Sequence, residues 1–184
     1  MSYHSGNQLI DPALLFEKVH LHEGMHVADF GCGRTGHVVF PASLVVGVKG
    51  IVYAVDILKD VLENVRKRAM LEAIHNIETV WADLEKSGGI AIPHKTLDVG
   101  FFVNVLYHMN SYDTTLNEVA SILRDKGRIV VVDWERRLST IGPSEDSMVR
   151  FDDIASWTMN NNFVVQEDFK ASPYHRGLVL FKAE

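Results

Sequence analysis

The stretch V-A-D-F-G-C-G-R-T-G-H, residues 27–37, decides the fold of this chain. It combines a hydrophobic strand with a turn that contains Gly31, Gly33 and Gly36, and Asp29 lies two positions before the first glycine. Glycines let the backbone turn sharply and let a ligand come close to it, because no Cβ projects from them. The spacing fits G-x-G-x-x-G, a pattern that several cofactor-binding families share. We therefore interpret this stretch as part of a nucleotide-type cofactor site.

Length and composition limit the classes of protein to which the chain can belong. With 184 residues and 47% hydrophobic content, residues 1–184 are expected to form one domain, in which residues 1–24 are a short N-terminal helical extension. A net charge of -6 argues against a constitutive nucleic-acid binder but leaves local basic patches open, and the lack of a long apolar run leads us to expect no membrane partner. The single cysteine, Cys32, excludes a disulfide within the chain, and an apolar leader is absent, so we expect a cytoplasmic protein.

Alternating apolar runs and helical segments predict an α/β fold with a mostly parallel sheet and helices on both faces. Asp11 and Pro12 are typical of a helix start, here of a helix over 12–19. Further helices are predicted over 58–74 and 112–123, the last ending before the turn Asp125-Lys126-Gly127. The strands are predicted near residues 25–30, 51–56, 77–82, 97–103, 128–133, 163–168 and 176–182.

Polar residues stand at the ends of the first five predicted strands, where ligands bind in open α/β sheets. They are Asp29, Asp56, Asp83, Asn104 and Asp133. One such residue is usually a helix cap or a turn residue, but five along one edge indicate a site. Against an adenosine-bearing cofactor, Asp56 is placed to accept from the ribose hydroxyls and Asp83 from the adenine amino group. Asp29 is placed to hold an ammonium group, directly or through water.

These residues resemble the motifs of the class I S-adenosylmethionine-dependent methyltransferases along nearly the whole chain. The matching segments are residues 27–36, 53–57, 82–84, 97–108 and 116–134. The N-P-P-Y of amino-methylating DNA and glutamine enzymes is absent from the fourth segment, so those substrate classes are not expected. More narrowly, the chain is similar to the small single-domain prokaryotic type. Three dipeptides typical of the C-terminal part of that type, D-W, G-P and Y-H, are present here as Asp133-Trp134, Gly142-Pro143 and Tyr174-His175.

The resemblance implies a fold and a set of cofactor contacts. The fold is a Rossmann-like sheet of seven strands in the order 3-2-1-4-5-7-6, with the last strand antiparallel. The methionine moiety would lie over Gly31 and Gly33, and the adenine between Ile57 and Leu84. The implied cofactor-binding residues are Asp29, Gly31, Cys32, Gly33, Gly36, Asp56, Ile57, Asp83, Leu84 and Asn104.

The residue that performs catalysis is left open, because methyl transfer needs a base only when the nucleophile must lose a proton. The candidates are Tyr107, His108, Asp133, Tyr174 and His175, each of which also has a purely structural interpretation. Acceptor recognition is expected from residues 1–10, 107–114 and 135–150, whose mixed charges do not specify the acceptor. A small molecule is the expected acceptor, and no pattern specifies an oligomeric state.

Three other interpretations are weaker. His22-Glu23-Gly24-Met25-His26 fits the zinc motif H-E-x-x-H, but Gly24 breaks the helix that the motif requires, so we expect no metal. An NAD-dependent oxidoreductase would explain G-x-G-x-x-G and Asp56, yet not Asp29 before the turn or Asp83. A non-catalytic S-adenosylmethionine-binding module would keep the same motifs without catalysing a reaction.

The basic run Arg66-Lys67-Arg68 is interpreted as a solvated helix face.

Overall fold

The computed structural model describes residues 7–139 and 141–183. One sheet carries strands β1 to β7 in the order 3-2-1-4-5-7-6. The strands are β1 (His26–Phe30), β2 (Ile51–Asp56), β3 (Ile77–Trp81), β4 (Leu97–Val103), β5 (Leu123–Trp134), β6 (Phe163–Lys170) and β7 (His175–Lys182). Strands β1 to β5 pair in parallel, and β7 pairs antiparallel with both β5 and β6. The predicted fold class and strand order are therefore confirmed.

Five α-helices cover the two faces of this sheet. They are α1 (Pro12–Val19), α2 (Val39–Val46), α3 (Lys59–Leu71), α4 (Tyr112–Ile122) and α5 (Phe151–Asn160). Helices α1, α2 and α3 pack with Val27 and Phe101 on one face, and α4 and α5 pack with Ala28 and Phe102 on the other. Successive side chains of a strand point to opposite faces, so the central strands are buried on both sides.

Two helices were missing from the sequence prediction. Helix α2, V-F-P-A-S-L-V-V, is almost uniformly apolar and rich in β-branched residues, so it shows no periodic polar face. Helix α5 does bury residues at helical spacing, namely Phe151, Ile154, Trp157 and Thr158, so its sequence carried the signal.

The predicted boundaries around α3 and β5 also needed correction. Helix α3 ends at Leu71, and Ala73 adopts a left-handed φ of 53°, so the predicted extension to Ile74 is not helical. Strand β5 starts at Leu123, and the segment predicted as a turn lies within the bounds of the strand, where the register with β4 shifts and Lys126 adopts a left-handed φ of 66°. Leu97 pairs with Leu123, whereas Val99 pairs with Arg128.

The connection between β3 and β4 contains no helix and is held by α4. The Glu118 carboxylate accepts from the Gly88 amide at 2.9 Å, and the Thr115 hydroxyl donates to the Leu84 carbonyl at 2.9 Å. These contacts fix the third sequence motif against the sheet. Within residues 7–139 and 141–183, every helix is too short or too polar to cross a membrane.

Candidate cofactor-binding site

The glycine turn after β1 is built from left-handed glycines and is anchored on β2. Gly31, Gly33 and Gly36 have φ values of 76°, 65° and 55°. The amides of Gly31 and Cys32 donate to the Val55 carbonyl at 2.8 and 3.1 Å. A Cβ on Gly31 would lie 2.5 Å from a methyl carbon of Val105, whereas a Cβ on Gly33 would come no closer than 4.0 Å to the Gly31 carbonyl oxygen. Gly31 is thus packed against the chain after β4, and Gly33 faces open space where a ligand can approach.

Asp56, the last residue of β2, is tied to this turn. Its carboxylate accepts from the Gly33 amide at 3.1 Å and from the Leu58 amide at 2.9 Å. A carboxylate has about four lone-pair positions, so two backbone donors leave capacity for two ligand hydroxyls. The side chain that the sequence assigns to a ribose therefore lies directly beside the glycine turn.

Asp29 is the most perturbed acid of the site. It is 3% exposed within β1, and burial, reinforced by the negative charge of Asp56, raises its pKa to about 8. A buried carboxyl group without a cationic partner favours its neutral form, and a ligand cation would reverse that preference. This edge of the sheet is consequently suited to a positively charged ligand.

Cys32 and Gly36 are closely packed within the glycine turn. The Cys32 thiol is 1% exposed and lies 4.0 Å from the Asp56 carboxylate, and burial raises its pKa, so no thiolate forms at neutral pH. A Cβ on Gly36 would lie 2.8 Å from the Phe40 ring. Close packing against α2 therefore requires glycine at this position.

Arg68 is a contributor to the turn that sequence reasoning missed. Its guanidinium donates to the Thr35 carbonyl at 3.0 Å and lies 3.7 Å from the centre of the Phe40 ring. The sequence analysis interprets Arg68 as part of a solvated basic face, and the sequence of α3 contains no pattern that indicates a contact with the glycine turn. Only the packing of α3 beside the turn brings the two together.

The ends of β2 and β3 form the wall assigned to the adenine. Ile57 is 52% exposed and Leu84 is 8% exposed, so Ile57 offers the larger apolar surface. Asp83 accepts from the Glu85 amide at 3.2 Å and pairs with Lys86 at 3.1 Å, and the Lys86 hydrogen bond is the largest cause that lowers its pKa.

Trp81 was not among the sequence-based candidates, yet it belongs to this wall. Its indole N–H donates to the Ile57 carbonyl at 2.7 Å, and its side chain is 48% exposed at the end of β3. Trp81 on β3 pairs with Asp56 on β2, so its indole hydrogen bond fixes Ile57, the residue that follows Asp56.

Asn104 and Asp133 lie at the ends of the neighbouring strands β4 and β5. Asn104 has a left-handed φ of 55°, its amide donates to the Val132 carbonyl at 2.9 Å, and its side-chain amide donates to Asn7 at 2.9 Å. Asp133 is fully buried, and its carboxylate accepts from the amides of Leu106 at 3.1 Å and Trp134 at 2.8 Å. Burial raises the pKa of Asp133 to about 7 despite these donors. Asp133 therefore positions the chain after β4 through the Leu106 amide.

The other catalytic candidates differ in their access to solvent. His108 lies in the short 3-10 helix Leu106–His108, with its ring centre 3.9 Å from that of Tyr107 and the two rings tilted by 36°, and partial burial lowers its pKa. His175 is fully buried, whereas Tyr174 is partly exposed under the Arg136 guanidinium at 5.5 Å. Of the two histidines, only His108 is exposed at the carboxyl edge of the sheet.

The H-E-x-x-H segment does not form a zinc-binding helix. Gly24 adopts a φ of 87° and His26 is the first residue of β1. A turn at Glu23-Gly24 therefore separates His22 from His26, with the Met25 amide donating to the His22 carbonyl at 3.4 Å. Within residues 7–139 and 141–183, no cluster of three potential metal ligands occurs.

Comparison with known proteins identifies the family. Residues 21–171 match the family described as Methyltransferase domain. The chain belongs to that methyltransferase family. This confirms the resemblance to the class I S-adenosylmethionine-dependent methyltransferases.

A curated relative and several solved structures are similar to the chain. Aklanonic acid methyltransferase DauC of Streptomyces sp. (strain C5) is 33% identical over 106 residues, which is 58% of this chain and 46% of that protein, so the match spans less than half of the relative's length. A SAM dependent methyltransferase from Aquifex aeolicus superposes with a TM-score of 0.84 at 21% identity, covering 97% of this chain and 93% of the other. The [4+2]-cyclase SpnF superposes with a TM-score of 0.77 at 12% identity, covering 96% and 80% of the two chains. The fold is thus shared with an enzyme described by a different reaction, and function must be argued from the site.

Proposed function

We propose that this protein transfers the methyl group of S-adenosylmethionine to a small-molecule acceptor. The observation that carries the proposal is the pair of buried carboxylates, Asp29 and Asp56, beside a glycine turn whose Gly33 faces open space. A cofactor with an ammonium group and a sulfonium group complements the charge of Asp56 and would favour the ionised form of Asp29. Family membership and the sequence motifs support the same assignment.

The residues of the site fit this cofactor in three places. Asp29 would pair with the ammonium group, and Gly31 and Gly33 would let the methionine part lie against the backbone. Asp56 would accept from the ribose hydroxyls, while Ile57 and Leu84 would hold the adenine ring, with Asp83 near its amino group. Cys32 and Gly36 shape the turn, and the Asn104 backbone carbonyl would lie near the methyl group.

The cofactor supplies a methyl group on a positively charged sulfur, and the sulfur keeps the electron pair when a nucleophile takes the methyl carbon. The task of the protein is then to align the two reactants and exclude water. His108 would accept a proton from an acceptor that must lose one, because its lowered pKa keeps the imidazole neutral at pH 7. Asp133 would hold the His108 segment through the Leu106 and Tyr107 amides, at 3.1 and 3.4 Å.

Asp29 also disfavours an NAD-dependent oxidoreductase. A dinucleotide places its negatively charged pyrophosphate at the glycine turn. Asp29 and Asp56 lie at that turn, and Asp29 is buried without a basic side chain among the causes of its pKa shift. A buried acid at this position is complemented by a ligand cation, which favours its ionised form, and not by an anionic pyrophosphate.

Calorimetric titration with S-adenosylmethionine, S-adenosylhomocysteine and NAD tests the proposal. We expect binding of the first two ligands and no heat with NAD. Asp56→Ala should weaken binding of S-adenosylhomocysteine by about 1.5 to 3 kcal/mol, because charge-assisted hydrogen bonds to the ribose are lost. Binding of NAD alone, or of none of the ligands, would refute the proposal.

A matched control separates loss of the ribose contact from loss of the fold. Glu63→Ala removes a carboxylate that pairs with Arg66 and Lys67 on the exposed surface of α3. Its affinity for S-adenosylhomocysteine should equal that of the unsubstituted protein. Equal affinity of a folded Asp56→Ala variant would disprove the placement of the ribose.

A further inference from the structure

Residues 106–110, which we call the His108 loop, are held at both ends by carboxylates. At the start of the loop, Asp133 accepts from the Leu106 amide at 3.1 Å. At its end, one carboxylate oxygen of Glu85 accepts from the Asn110 backbone amide at 2.9 Å and from the Asn110 side-chain amide at 3.1 Å. His108 lies between these two anchors and is itself exposed. The position of the proposed base therefore depends on a residue from another connection of the sheet.

Glu85 lies in the connection between β3 and β4, directly after the residues assigned to the adenine. Its backbone amide donates to the Asp83 carboxylate at 3.2 Å. The Leu84 carbonyl accepts from the Thr115 hydroxyl at 2.9 Å, and that hydroxyl lies 3.3 Å from the Met109 sulfur. The adenine wall and the His108 loop are thus joined by two routes, one through Glu85 and one through Thr115.

The contact between Glu85 and Asn110 is suited to orienting the loop. Hydrogen bonds to an ionised carboxylate are shorter and stronger than those between neutral groups. Because the two donors belong to one residue, they fix the orientation of Asn110 as well as its distance. Glu85 and Asn110 are 25 residues apart and both exposed, so removal of the carboxylate leaves no buried donor without a partner. A variant at Glu85 should therefore fold.

We propose that Glu85 is a positioning residue that couples the adenine position to His108. Asp83, assigned to the adenine amino group, orients the Glu85 backbone, and the Glu85 carboxylate holds the end of the His108 loop. A continuous hydrogen-bond network of this kind can carry coupling between two sites. The inference rests on the proposed methyltransferase function for the roles of Asp83 and His108, whereas the hold of Glu85 on the loop is independent of that function.

Backbone dynamics of the ligand-free protein test the hold of Glu85 on the loop. In the full-length, ¹⁵N-labelled protein, relaxation of the His108 and Asn110 amides reports motion from picoseconds to nanoseconds. Glu85→Ala removes the acceptor, so the order parameters of both amides should fall. Glu85→Gln keeps an oxygen that can accept from both Asn110 donors and should restore them.

The response of the His108 imidazole to S-adenosylhomocysteine tests the coupling. His108→Gln assigns the ring signals of His108 in the spectrum. On saturation with the ligand, these signals should shift in the unsubstituted protein and in Glu85→Gln. In Glu85→Ala the shift should be largely lost, although the ligand still binds. A shift caused by direct contact between the ligand and the ring would be the same in all three proteins.

Glu118→Ala is the matched control, because Glu118 also holds the connection between β3 and β4. Its carboxylate accepts from the amides of Gly88 at 2.9 Å and Ile90 at 3.5 Å. Glu118→Ala should lower stability but leave unchanged both the order parameters of the His108 loop and the shift of the His108 signals. The comparison separates the specific contact of Glu85 from a general loosening of the connection.

Four results would overturn the coupling. They are order parameters that do not fall in Glu85→Ala, His108 signals that stay in place when the ligand is bound, a shift that persists in Glu85→Ala, and equal effects of Glu85→Ala and Glu118→Ala. Failure of S-adenosylhomocysteine to bind would instead contradict the proposed function. In that case the relaxation measurements still show whether Glu85 positions the loop.

Discussion

Asp29 shows how one residue can couple cofactor binding to a proton. In the cofactor-free protein its pKa is raised to about 8 by burial and by the nearby charge of Asp56, so the carboxyl group is protonated at pH 7. An ammonium group binds the ionised carboxylate far better than the neutral acid. Cofactor binding at neutral pH should therefore expel a proton.

We expect S-adenosylhomocysteine to bind more tightly as the pH rises from about 6 to about 8, by up to about tenfold per pH unit. Titration calorimetry in buffers with different ionisation enthalpies measures the protons released, and release should approach one per ligand at pH 7. Asp29→Asn is the matched control, and it should bind more weakly and without proton release. Tight binding without proton release by the unsubstituted protein would show that Asp29 does not meet the ammonium group.

Two neighbouring glycines should respond oppositely to an added side chain. Gly33 faces open space at a φ of 65°, so Gly33→Val should abolish S-adenosylhomocysteine binding and lower stability only by the cost of a left-handed residue, about 1 to 3 kcal/mol. Gly31→Ala places its Cβ 2.5 Å from Val105 and should lower stability more. Calorimetric affinity and denaturant unfolding separate the two effects. Retained binding by Gly33→Val would show that the ligand does not approach this turn.

At the scale of elements, the site depends on contacts between strand ends as much as on the strands themselves. The loop after β2 carries Ile57, which we propose contacts the adenine, and the Trp81 indole on β3 donates to the carbonyl of that same residue at 2.7 Å. Lys59, at the start of α3, lies 5.8 Å from the Trp81 ring centre. Trp81 thus links β3, the β2 loop and α3.

Trp81→Phe deletes this hydrogen bond but keeps an aromatic ring. The affinity for S-adenosylhomocysteine should fall about 2- to 12-fold, which is the value of one hydrogen bond. Trp157→Phe is the control, because it deletes an indole hydrogen bond between α5 and α4 and should lower stability without changing affinity. Isothermal titration of both variants measures the difference. Equal affinities would remove Trp81 from the site.

For the whole molecule, three buried titratable groups determine how stability depends on pH. The pKa of Asp29 is raised to about 8 and that of Asp133 to about 7, both mainly by burial, so the folded chain holds protons that the unfolded chain has lost. Stability then falls as the pH rises from about 4 to about 8. His175 acts in the opposite direction between pH 4 and 6.5, because its pKa is lowered to about 4 by burial. Two carboxyl groups outweigh one imidazole.

The cofactor-free protein should therefore unfold at a lower temperature at about pH 8.5 than at about pH 6. Thermal unfolding followed by circular dichroism measures the difference. In Asp29→Asn the difference should be smaller, because the neutral amide does not have to ionise in the core. A melting temperature that rises over this range in the unsubstituted protein would contradict the proposed ionisation states.

The sequence by itself determined the strands and the glycine turn, because these follow from local patterns. Apolar runs, glycine spacing and acidic strand ends are properties of short segments, and the resemblance to a known family ordered them. Helix α2 was not predicted, because a nearly uniform apolar segment has no periodic polar face. The start of β5 at Leu123 was not predicted either, because the turn-forming residues Asp125-Lys126-Gly127 lie within the strand, where its register with β4 shifts.

Only the tertiary structure decided how the side chains along the carboxyl edge are used. It turned Asp133 inward onto the amides after β4, buried Asp29 beside Asp56, and brought Arg68 to the glycine turn. It also placed His175 against Trp134 across β5 and β7. Burial and contact between residues far apart in sequence depend on how elements pack on both faces of the sheet. A pattern within one segment cannot encode the pKa of a group or the partner that a distant strand supplies.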